Sequence, residues 1–326
     1  MIAPPLTKQA GDQLDHFLLE SVVATSGMAT VFRARDLDNG RQVAIKIPHP
    51  EMEADPALLD RFLREEEIGT RMEHRGVMKV FANPGRSQVY MVMEWVDGRL
   101  LRQVLNEQKK LPIWRAVGLT IGICHALEYI HAVGVVHRDL KPENIMVDAD
   151  DNIRLIDFGI AASAGARRLT FANLSSSMGT PDYISPEQVK GKRGDSRSDI
   201  YSLGVLLYEM VTGRVPFIGP NPFAVMNLRL LNPPEPPMGL EPSITPQLQE
   251  ILYRALEREP HNRYGSAREF AHDLDHQHEV GVAHRPEIAN WGKGRSAGLR
   301  RVLLYGTLVL VPMAIFALLL LVARRH

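Results

Sequence analysis

The sequence predicts an α+β fold of two lobes, followed by one C-terminal transmembrane helix. The part before the apolar C-terminal segment, about 290 residues, is long enough for two lobes around a cleft. Its first half is typical of strands with short turns and one helix, and its second half shows helical periodicity at 115–132 and 199–212. The expected segments are an N-terminal tail at 1–12, a first lobe at 13–94, a second lobe at 95–275, a juxtamembrane linker at 276–301, a membrane span at 302–323 and a C-terminal tail at 324–326.

The second lobe carries the run HRDLKPEN, and a DFG triplet follows it. A phosphoryl group in transfer carries dispersed negative charge, so its catalysis needs a base, positioned cations and metal ligands. Asp139 could accept a hydroxyl proton, and Lys141 could reach the phosphate as a point charge. Asn144 and Asp157 offer the oxygen ligands that Mg²⁺ or Mn²⁺ prefers. These residue types at this spacing predict phosphoryl transfer from metal-bound ATP.

These segments resemble the H-R-D-x-x-x-x-N and D-F-G signatures of the eukaryotic-type (Hanks-type) protein kinases, in the bacterial serine/threonine branch. A V-A-I-K strand at 43–46 and the run GTPDYISPE at 179–187 extend the match. Asp199 matches a buried aspartate that anchors the catalytic loop, and Arg263 matches an arginine that pairs with Glu187. The resemblance implies a bilobal protein-kinase-like fold with a β-rich N-lobe and a helical C-lobe.

The V-A-I-K strand carries two candidate site residues on one face. Alternate side chains of a strand share a face, so Ala44 and Lys46 point one way and the neighbouring residues enter the lobe core. The resemblance implies that Ala44 covers adenine and that Lys46 holds the α- and β-phosphates of ATP. Its partner is expected to be Glu65 on the next helix. Glu66 and Glu67 are expected on a solvated face.

The strand near residue 93 and its connector are expected to hold adenine. By resemblance, Met93 lies behind the base, and the backbone of Glu94 and Val96 bonds its edge. Met146 would form the floor of the adenine site, although packing as an ordinary core methionine fits the sequence equally well.

The phosphate-covering loop departs from the family pattern. Its candidate nucleotide-binding residues are Val23, Ala24, Thr25, Ser26, Gly27, Met28, Ala29, Thr30 and Val31. Ala24, Ser26 and Ala29 occupy the places where the G-x-G-x-x-G pattern has glycine. Ala29 alone is a mild departure, because bacterial members of the family often carry a small residue there. Ala24 and Ser26 each add a Cβ near the nucleotide, and each costs about 1 kcal/mol if its backbone is left-handed.

Alternatives to an ordinary protein kinase follow from this loop. One is a kinase with weaker or more selective nucleotide binding, and another is a pseudokinase that acts as a scaffold. The retention of Lys46, Asp139, Asn144 and Asp157 favours activity. A small-molecule phosphotransferase shares the same base and metal ligands. The segment 179–187 argues against it, because by resemblance this segment shapes a protein-substrate groove.

Residues 160–178 resemble an activation loop rich in small and polar residues. The candidate hydroxyls of this region are Thr170, Ser175, Ser176, Ser177 and Thr180. Thr180 is expected near Asp139, where it would help select serine or threonine substrates. Arg138 is suited to bind a phosphate, so autophosphorylation is expected to order the loop. A flexible polar loop is the simpler alternative.

The C-terminus carries the second clear pattern. Residues 302–323 are 22 uncharged residues, and at helical rise they extend about 33 Å, enough to span a bilayer. More basic residues precede this segment than follow it, which places the kinase part on the cytoplasmic side. We therefore expect a single-pass protein of the cell inner membrane that contacts lipid through this helix. The preceding linker could lie near anionic headgroups or be an ordinary tether.

Composition narrows the partners. With 38 basic and 38 acidic residues the formal net charge is zero, so the composition does not suggest nucleic-acid binding, which would favour a basic face. Cys124 is the only cysteine, so no intrachain disulfide is expected. The expected partners are protein substrates with serine or threonine hydroxyls, and a homodimer is left open.

Overall fold

The protein is described by a computed structural model over residues 8–157 and 181–283. Within these ranges strands dominate the first part of the chain and helices the second. The fold is therefore bilobal, with a β-rich N-lobe and a helical C-lobe. All elements below belong to the first of two units into which the chain divides, residues 1–281.

The N-lobe is built on an antiparallel sheet with the strands β1 (Gln13–Leu14), β2 (Phe17–Thr25), β3 (Ala29–Asp36), β4 (Gln42–Pro48), β5 (Val80–Phe81) and β6 (Met91–Glu94). Their order across the sheet is β1-β2-β3-β4-β6-β5. Helices α1 (Pro50–Glu53) and α2 (Pro56–Thr70) connect β4 to β5. The Asp55 carboxylate caps α2 by accepting from the backbone N–H groups of Ala57 and Leu58.

Strand β4 separates two apolar clusters. Val43, Ile45 and Ile47 pack in one cluster, whereas Ala44 packs in the other with Met93. The predicted alternation is confirmed, because residues two apart share a face. It places Lys46 on the same side as Ala44, toward helix α2.

The C-lobe combines a small sheet with helices. The sheet contains β7 (Arg99–Leu100), β8 (Ile145–Val147) and β9 (Ile153–Leu155). The helices are α3 (Leu101–Gln108), α4 (Ile113–Ala132), α5 (Pro186–Val189), α6 (Ser196–Thr212), α7 (Pro222–Leu231), α8 (Pro246–Ala255) and α9 (Ala267–Asp275). Short 3-10 turns cover Pro142–Asn144, Pro181–Tyr183, Pro237–Gly239, Pro260–Asn262 and Gln277–Glu279.

Helix α6 is the centre of the C-lobe. It is buried along nearly its whole length and packs with α4 and α8 in one apolar cluster. Asp195 caps its first turn by accepting from the N–H of Arg197. The helix ends at Gly213, whose φ of 78° lies in the left-handed region that favours glycine. Both helices expected from periodicity, near 115–132 and 199–212, are present as α4 and α6.

Several expectations fall on other parts of the chain. The predicted membrane span at 302–323 and the loop at 160–178 lie outside the described residues. Among residues 8–157 and 181–283, no helix has the length and hydropathy that crossing a membrane requires.

Candidate active site

Lys46, Glu65 and Asp157, which are distant in sequence, lie close together in the structure. Lys46 on β4 donates from Nζ to Glu65 Oε1 on α2 at 2.9 Å. The same Nζ lies 3.8 Å from Oδ1 of Asp157, which follows β9. The Lys46 and Glu65 side chains are only 20% and 17% exposed. One ammonium group is thus shared between two carboxyl groups at an edge of the lobe.

The electrostatics of this trio favour a charged lysine. Burial alone would lower the pKa of Lys46, but the charges of Asp157 and Glu65 outweigh it and raise that pKa. The two carboxyl groups differ. Burial and the nearby Asp157 charge raise the pKa of Glu65 to about 8, whereas the charge of Lys46 overcomes burial and lowers the pKa of Asp157. The lowered pKa of Asp157 suits a carboxylate that binds a metal ion, because a carboxyl ligand must be deprotonated.

The catalytic loop, residues 137–144, is held at its start by Asp199 of α6. This carboxylate is fully buried and accepts from the backbone N–H of His137 at 2.9 Å and of Arg138 at 2.7 Å. His131 Nε2 lies 2.7 Å from the same carboxylate. The anchoring role predicted for Asp199 is confirmed. It also holds Arg138 in a left-handed conformation with φ of 63°, where a single residue reverses the chain direction.

Asp139, Lys141 and Asn144 form one hydrogen-bonded group above this anchor. Lys141 Nζ donates to Asp139 Oδ2 at 2.6 Å. The Asn144 amide nitrogen donates to the Asp139 carbonyl at 2.8 Å and to its carboxylate at 3.2 Å. Since the nitrogen of Asn144 is occupied by Asp139, its amide oxygen is left to act as a ligand. About half of the Asp139 side chain is exposed, so a substrate hydroxyl can approach it.

The residues present fit a divalent cation of the Mg²⁺ or Mn²⁺ kind. Asp157 offers a carboxylate whose pKa is lowered by the charge of Lys46, and Asn144 offers a neutral oxygen. Both are hard oxygen donors, which suits these ions better than softer metals.

The residues predicted to contact adenine lie on strands β4, β6 and β8 and on the segment that follows β6. Ala44 is paired with Met93 across β4 and β6, and both are buried. Val96 packs against the same cluster, and Met146 is partly buried on β8. The backbone N–H of Glu94 already donates to the carbonyl of Lys79. Its carbonyl is therefore the backbone group of Glu94 that a purine could use.

The phosphate-covering loop is the hairpin between β2 and β3. Ser26 closes it: its N–H donates to the Ala29 carbonyl at 3.0 Å, and its Oγ accepts from the N–H of Met28 and of Ala29. In the described part of the chain, left-handed φ values outside glycine occur at Asp15, Lys109, Arg138 and Asp151. Ala24, Ser26 and Ala29 are not among them. The backbone strain that a left-handed conformation would impose on these residues is therefore absent.

His49 ties this hairpin to the end of β4. Its backbone N–H donates to the Met28 carbonyl at 2.8 Å, and its Nε2 lies 2.9 Å from the Thr30 hydroxyl. The hairpin is thus held by two side chains, Ser26 and His49, rather than by glycine backbone.

The prediction that Glu66 lies on a solvated face is wrong. Its side chain is only 13% exposed, and its Oε1 lies 2.5 Å from Nη1 of Arg86. Glu67 behaves as expected, since it is exposed and pairs with Arg71 one turn away. Arg86 lies in the turn before β6, and no motif marked it.

Two further ion-pair groups flank the catalytic loop. Arg263 donates two hydrogen bonds to Glu187, at 2.9 and 2.7 Å, and both side chains are buried. This confirms the predicted pairing. The second group was missed: Arg102 bonds both Glu143 and Glu209, at 2.9 and 2.8 Å. Its members lie far apart in the chain, so no local pattern could have revealed it.

Arg138 has an unusual environment. Its Nε atom is buried and, within residues 8–157 and 181–283, has no hydrogen-bond partner. Burial and the nearby charge of Arg193 lower its pKa, against the opposite influence of Asp199. An anion would satisfy this site. The candidate hydroxyls Thr170, Ser175, Ser176, Ser177 and Thr180 lie outside the described residues.

Comparison with known proteins identifies a family. The protein kinase domain family matches residues 20–277. A probable serine/threonine-protein kinase of Streptomyces coelicolor is 40% identical over 263 residues, which are 79% of this chain and 39% of that protein. The serine/threonine-protein kinase PknB of Mycolicibacterium smegmatis is 35% identical over 279 residues, or 84% of this chain and 45% of that protein.

A solved structure agrees with these matches. The kinase domain of Mycobacterium tuberculosis PknI superposes with a TM-score of 0.65 and 27% identity, over 83% of this chain and 100% of that domain. The chain spans less than half the length of these two curated relatives, 39% and 45%.

Proposed function

We propose that this chain, which belongs to the protein kinase family and carries a kinase domain of serine/threonine type, transfers the γ-phosphoryl group of ATP to serine or threonine hydroxyls of proteins. One observation supports this most strongly. The Lys46 ammonium lies 3.8 Å from the Asp157 carboxylate, and the charge of Lys141 in the HRDLKPEN run also contributes to the lowered pKa of Asp157. The candidate metal ligand thus stands between the phosphate-holding lysine and the catalytic loop, where a triphosphate must lie.

Each residue has a definite task in this proposal. Lys46, oriented by Glu65, holds the α- and β-phosphates. Asp139 accepts the proton of the attacking hydroxyl, and Lys141 neutralises charge on the transferred group. Mg²⁺ or Mn²⁺ held by Asp157 and Asn144 would neutralise the phosphates and orient them.

Adenosine would bind between the two lobes. Ala44 and Met93 form one apolar wall, Met146 the opposite one, and the backbone of Glu94 and Val96 the polar edge. The candidate phosphate-covering residues are Val23, Ala24, Thr25, Ser26, Gly27, Met28, Ala29, Thr30 and Val31. Because this hairpin is closed without left-handed non-glycine residues, the absence of glycine at positions 24, 26 and 29 does not by itself argue for a pseudokinase.

Autophosphorylation is part of the proposal. Arg138 offers a partly buried guanidinium, with a buried Nε atom, beside the catalytic aspartate, which suits a phosphate on the loop at 160–180. Candidate acceptors are Thr170, Ser175, Ser176 and Ser177, and Thr180 would help select the substrate hydroxyl. Phosphosite mapping of active protein that found no label between 160 and 180 would contradict this part.

We further propose the lobe boundaries given above and a membrane anchor at 302–323, with the kinase domain on the cytoplasmic side and its substrates among cytoplasmic or membrane-linked proteins. The apolar C-terminal segment and its basic flanks support this. Membrane fractionation of chains ending at 290 and at 326 tests it. Equal soluble behaviour of both would rule out the anchor.

The decisive test of the reaction compares acceptors. The full chain is incubated with Mg²⁺, labelled ATP and either a generic protein or a panel of small hydroxylated metabolites, beside an Asp157→Ala variant. We expect label on protein only, and only with the wild-type chain. Labelled metabolites would indicate a small-molecule phosphotransferase, and equal background in both chains would indicate a scaffold.

A further inference from the structure

A second ion pair, between Arg86 and Glu66, is adjacent in sequence to the Lys46–Glu65 pair on helix α2. Glu66 follows Glu65 in helix α2, so its side chain points about 100° further around the helix. Arg86 Nη1 lies 2.5 Å from Glu66 Oε1 and donates to the Tyr90 carbonyl, also at 2.5 Å. The Arg86 and Glu66 side chains are 20% and 13% exposed. This pair is as well shielded as the lysine pair beside it.

The turn that carries Arg86 is itself fixed. The N–H of Ser87 and the hydroxyl of Tyr90 both donate to the Asp15 carboxylate, at 3.1 and 2.6 Å. Tyr90 is fully buried and immediately precedes β6, where Met91 pairs with Lys46. Arg86 therefore joins helix α2 to the strand that neighbours the Lys46 strand.

Helix α2 meets the N-lobe through one narrow face. Its buried residues are Phe62 and Gly69, and Gly69 lies so close to β5 that a Cβ there would stand 2.4 Å from a methyl of Val80. Glu66 falls between them, one turn from Phe62 and slightly less than one turn from Gly69. The Arg86–Glu66 pair is thus a polar contact in the middle of this face.

The neighbouring pair of Glu67 and Arg71 provides a contrast. Its side chains are 59% and 73% exposed, and Arg71 is the C-cap residue of the same helix that carries Glu67. It stabilises the helix locally and cannot fix its rotation relative to the sheet.

We propose that Arg86 is a positioning residue for phosphoryl transfer, because its pair with Glu66 sets the rotation of α2 that keeps Glu65 within reach of Lys46. Without Arg86, the Glu66 carboxylate would be shielded and uncompensated, which is costly. Rotating α2 would return Glu66 to water, and the same rotation would withdraw Glu65 from Lys46. The inference rests on the proposed role of Lys46 and Glu65 in holding the phosphates.

The test uses the full chain and three variants: Arg86→Met, Arg86→Lys and the control Arg71→Met. Three quantities are measured: kcat and KM for ATP with a protein substrate, backbone hydrogen exchange across α2 and α6, and thermal unfolding. For Arg86→Met we expect kcat to fall about ten- to a hundredfold, since a displacement of about 1 Å at the phosphates has that effect. Exchange should accelerate in α2 and stay unchanged in α6.

Arg86→Lys should recover most of the lost kcat, because an ammonium can still pair with Glu66. Arg71→Met should stay within about twofold of the wild-type chain, as expected for an exposed pair. A wild-type kcat and wild-type α2 exchange in Arg86→Met would overturn the inference. Faster exchange in α6 as well as α2 would also overturn it, because that pattern indicates general loss of stability.

The readouts separate this inference from the proposed reaction. If the wild-type chain transferred no phosphate, the proposed reaction would fail. Hydrogen exchange would still decide the role of Arg86. Faster exchange of α2 in Arg86→Met, but not in Arg71→Met, would support the role of the Arg86–Glu66 pair. Equal α2 exchange rates in the two variants would refute that role.

Discussion

The catalytic loop and the phosphate-covering hairpin are held in different ways. The loop rests on Asp199, a fully buried carboxylate that accepts from its backbone across more than sixty residues of sequence. The hairpin is exposed over residues 21–28, and it is held by Ser26 from within and by His49 from the adjacent strand end. A buried, long-range contact is costly to change, because a lost partner leaves an unsatisfied polar group. An exposed, local contact can be replaced by another side chain. This difference fits the presence of the family's motif residues in the loop and of non-glycine residues at the three pattern positions Ala24, Ser26 and Ala29 of the hairpin.

The largest effect is expected from the anchor. Asp199→Asn replaces one carboxylate oxygen by an NH₂ group, which cannot accept from the loop. We expect kcat to fall about a hundredfold or more, because a misplaced Asp139 loses alignment with the substrate hydroxyl. Nucleotide affinity, measured by titration calorimetry, should change little. A variant with wild-type kcat would show that the loop does not depend on α6.

The next effect concerns stability beneath the loop. Burial would raise the pKa of Glu187, but the hydrogen bonds and charge of Arg263 lower it to about 2 from an ordinary value of 4.5. A lowered folded-state pKa gives stability above the unfolded value and loses it as pH falls through the folded value. The pair should therefore lose about 3 kcal/mol of stabilisation between pH 4.5 and pH 2.

Urea unfolding at several pH values checks this. Glu187→Gln should remove much of the decline below pH 4.5, while Glu259→Gln, whose partner Lys190 is exposed, should keep it. If Glu187→Gln and the wild-type chain lost stability in parallel, the buried pair would not be the acid-sensitive contact.

Smaller effects are expected in the hairpin. Ser26→Ala removes the acceptor of the Met28 and Ala29 N–H groups, at a cost of about 1 kcal/mol. KM for ATP should rise about fivefold with little change in kcat. Ser26→Asn should behave nearly as the wild-type chain, since an asparagine carbonyl can close the same turn. Ser21→Ala, in the exposed part of β2, serves as the control. An unchanged KM in Ser26→Ala would contradict the closing role of this hydroxyl.

The smallest effect is expected from the tether between His49 and Thr30. His49→Leu and Thr30→Val each break the same side-chain contact, so each should raise KM for ATP about twofold or less. The double variant should be no worse than either single one, because the two residues share one interaction. Additive effects would show that the two side chains act separately.

Contacts could be predicted from the sequence where both residues lie in recognisable motifs. Lys46 with Glu65, Arg263 with Glu187, and Asp199 beneath the loop could all be predicted, since each lies in a recognisable run of residues. Glu66 could not, because its partner Arg86 lies in a turn with no motif. Its burial depends on how α2 rotates against the sheet, and helical spacing alone does not set that rotation.

The hairpin shows a second limit. Its composition suggested strain at Ala24 and Ser26, but strain depends on φ, and φ depends on how the turn is closed. The Ser26 hydroxyl closes it in an ordinary conformation. Residue identity at a glycine position therefore did not decide the backbone geometry.

The proposal that Asp139 serves as the base in transfer from ATP to protein hydroxyls is tested most directly by identifying the phosphorylated amino acid. The full chain and its Asp139→Asn variant are incubated with γ-labelled ATP, Mg²⁺ and a generic protein substrate, and the hydrolysed protein is analysed. We predict labelled phosphoserine or phosphothreonine with the wild-type chain, and at least about a hundredfold less with the variant. Equal labelling by both chains, or none by either, would contradict it.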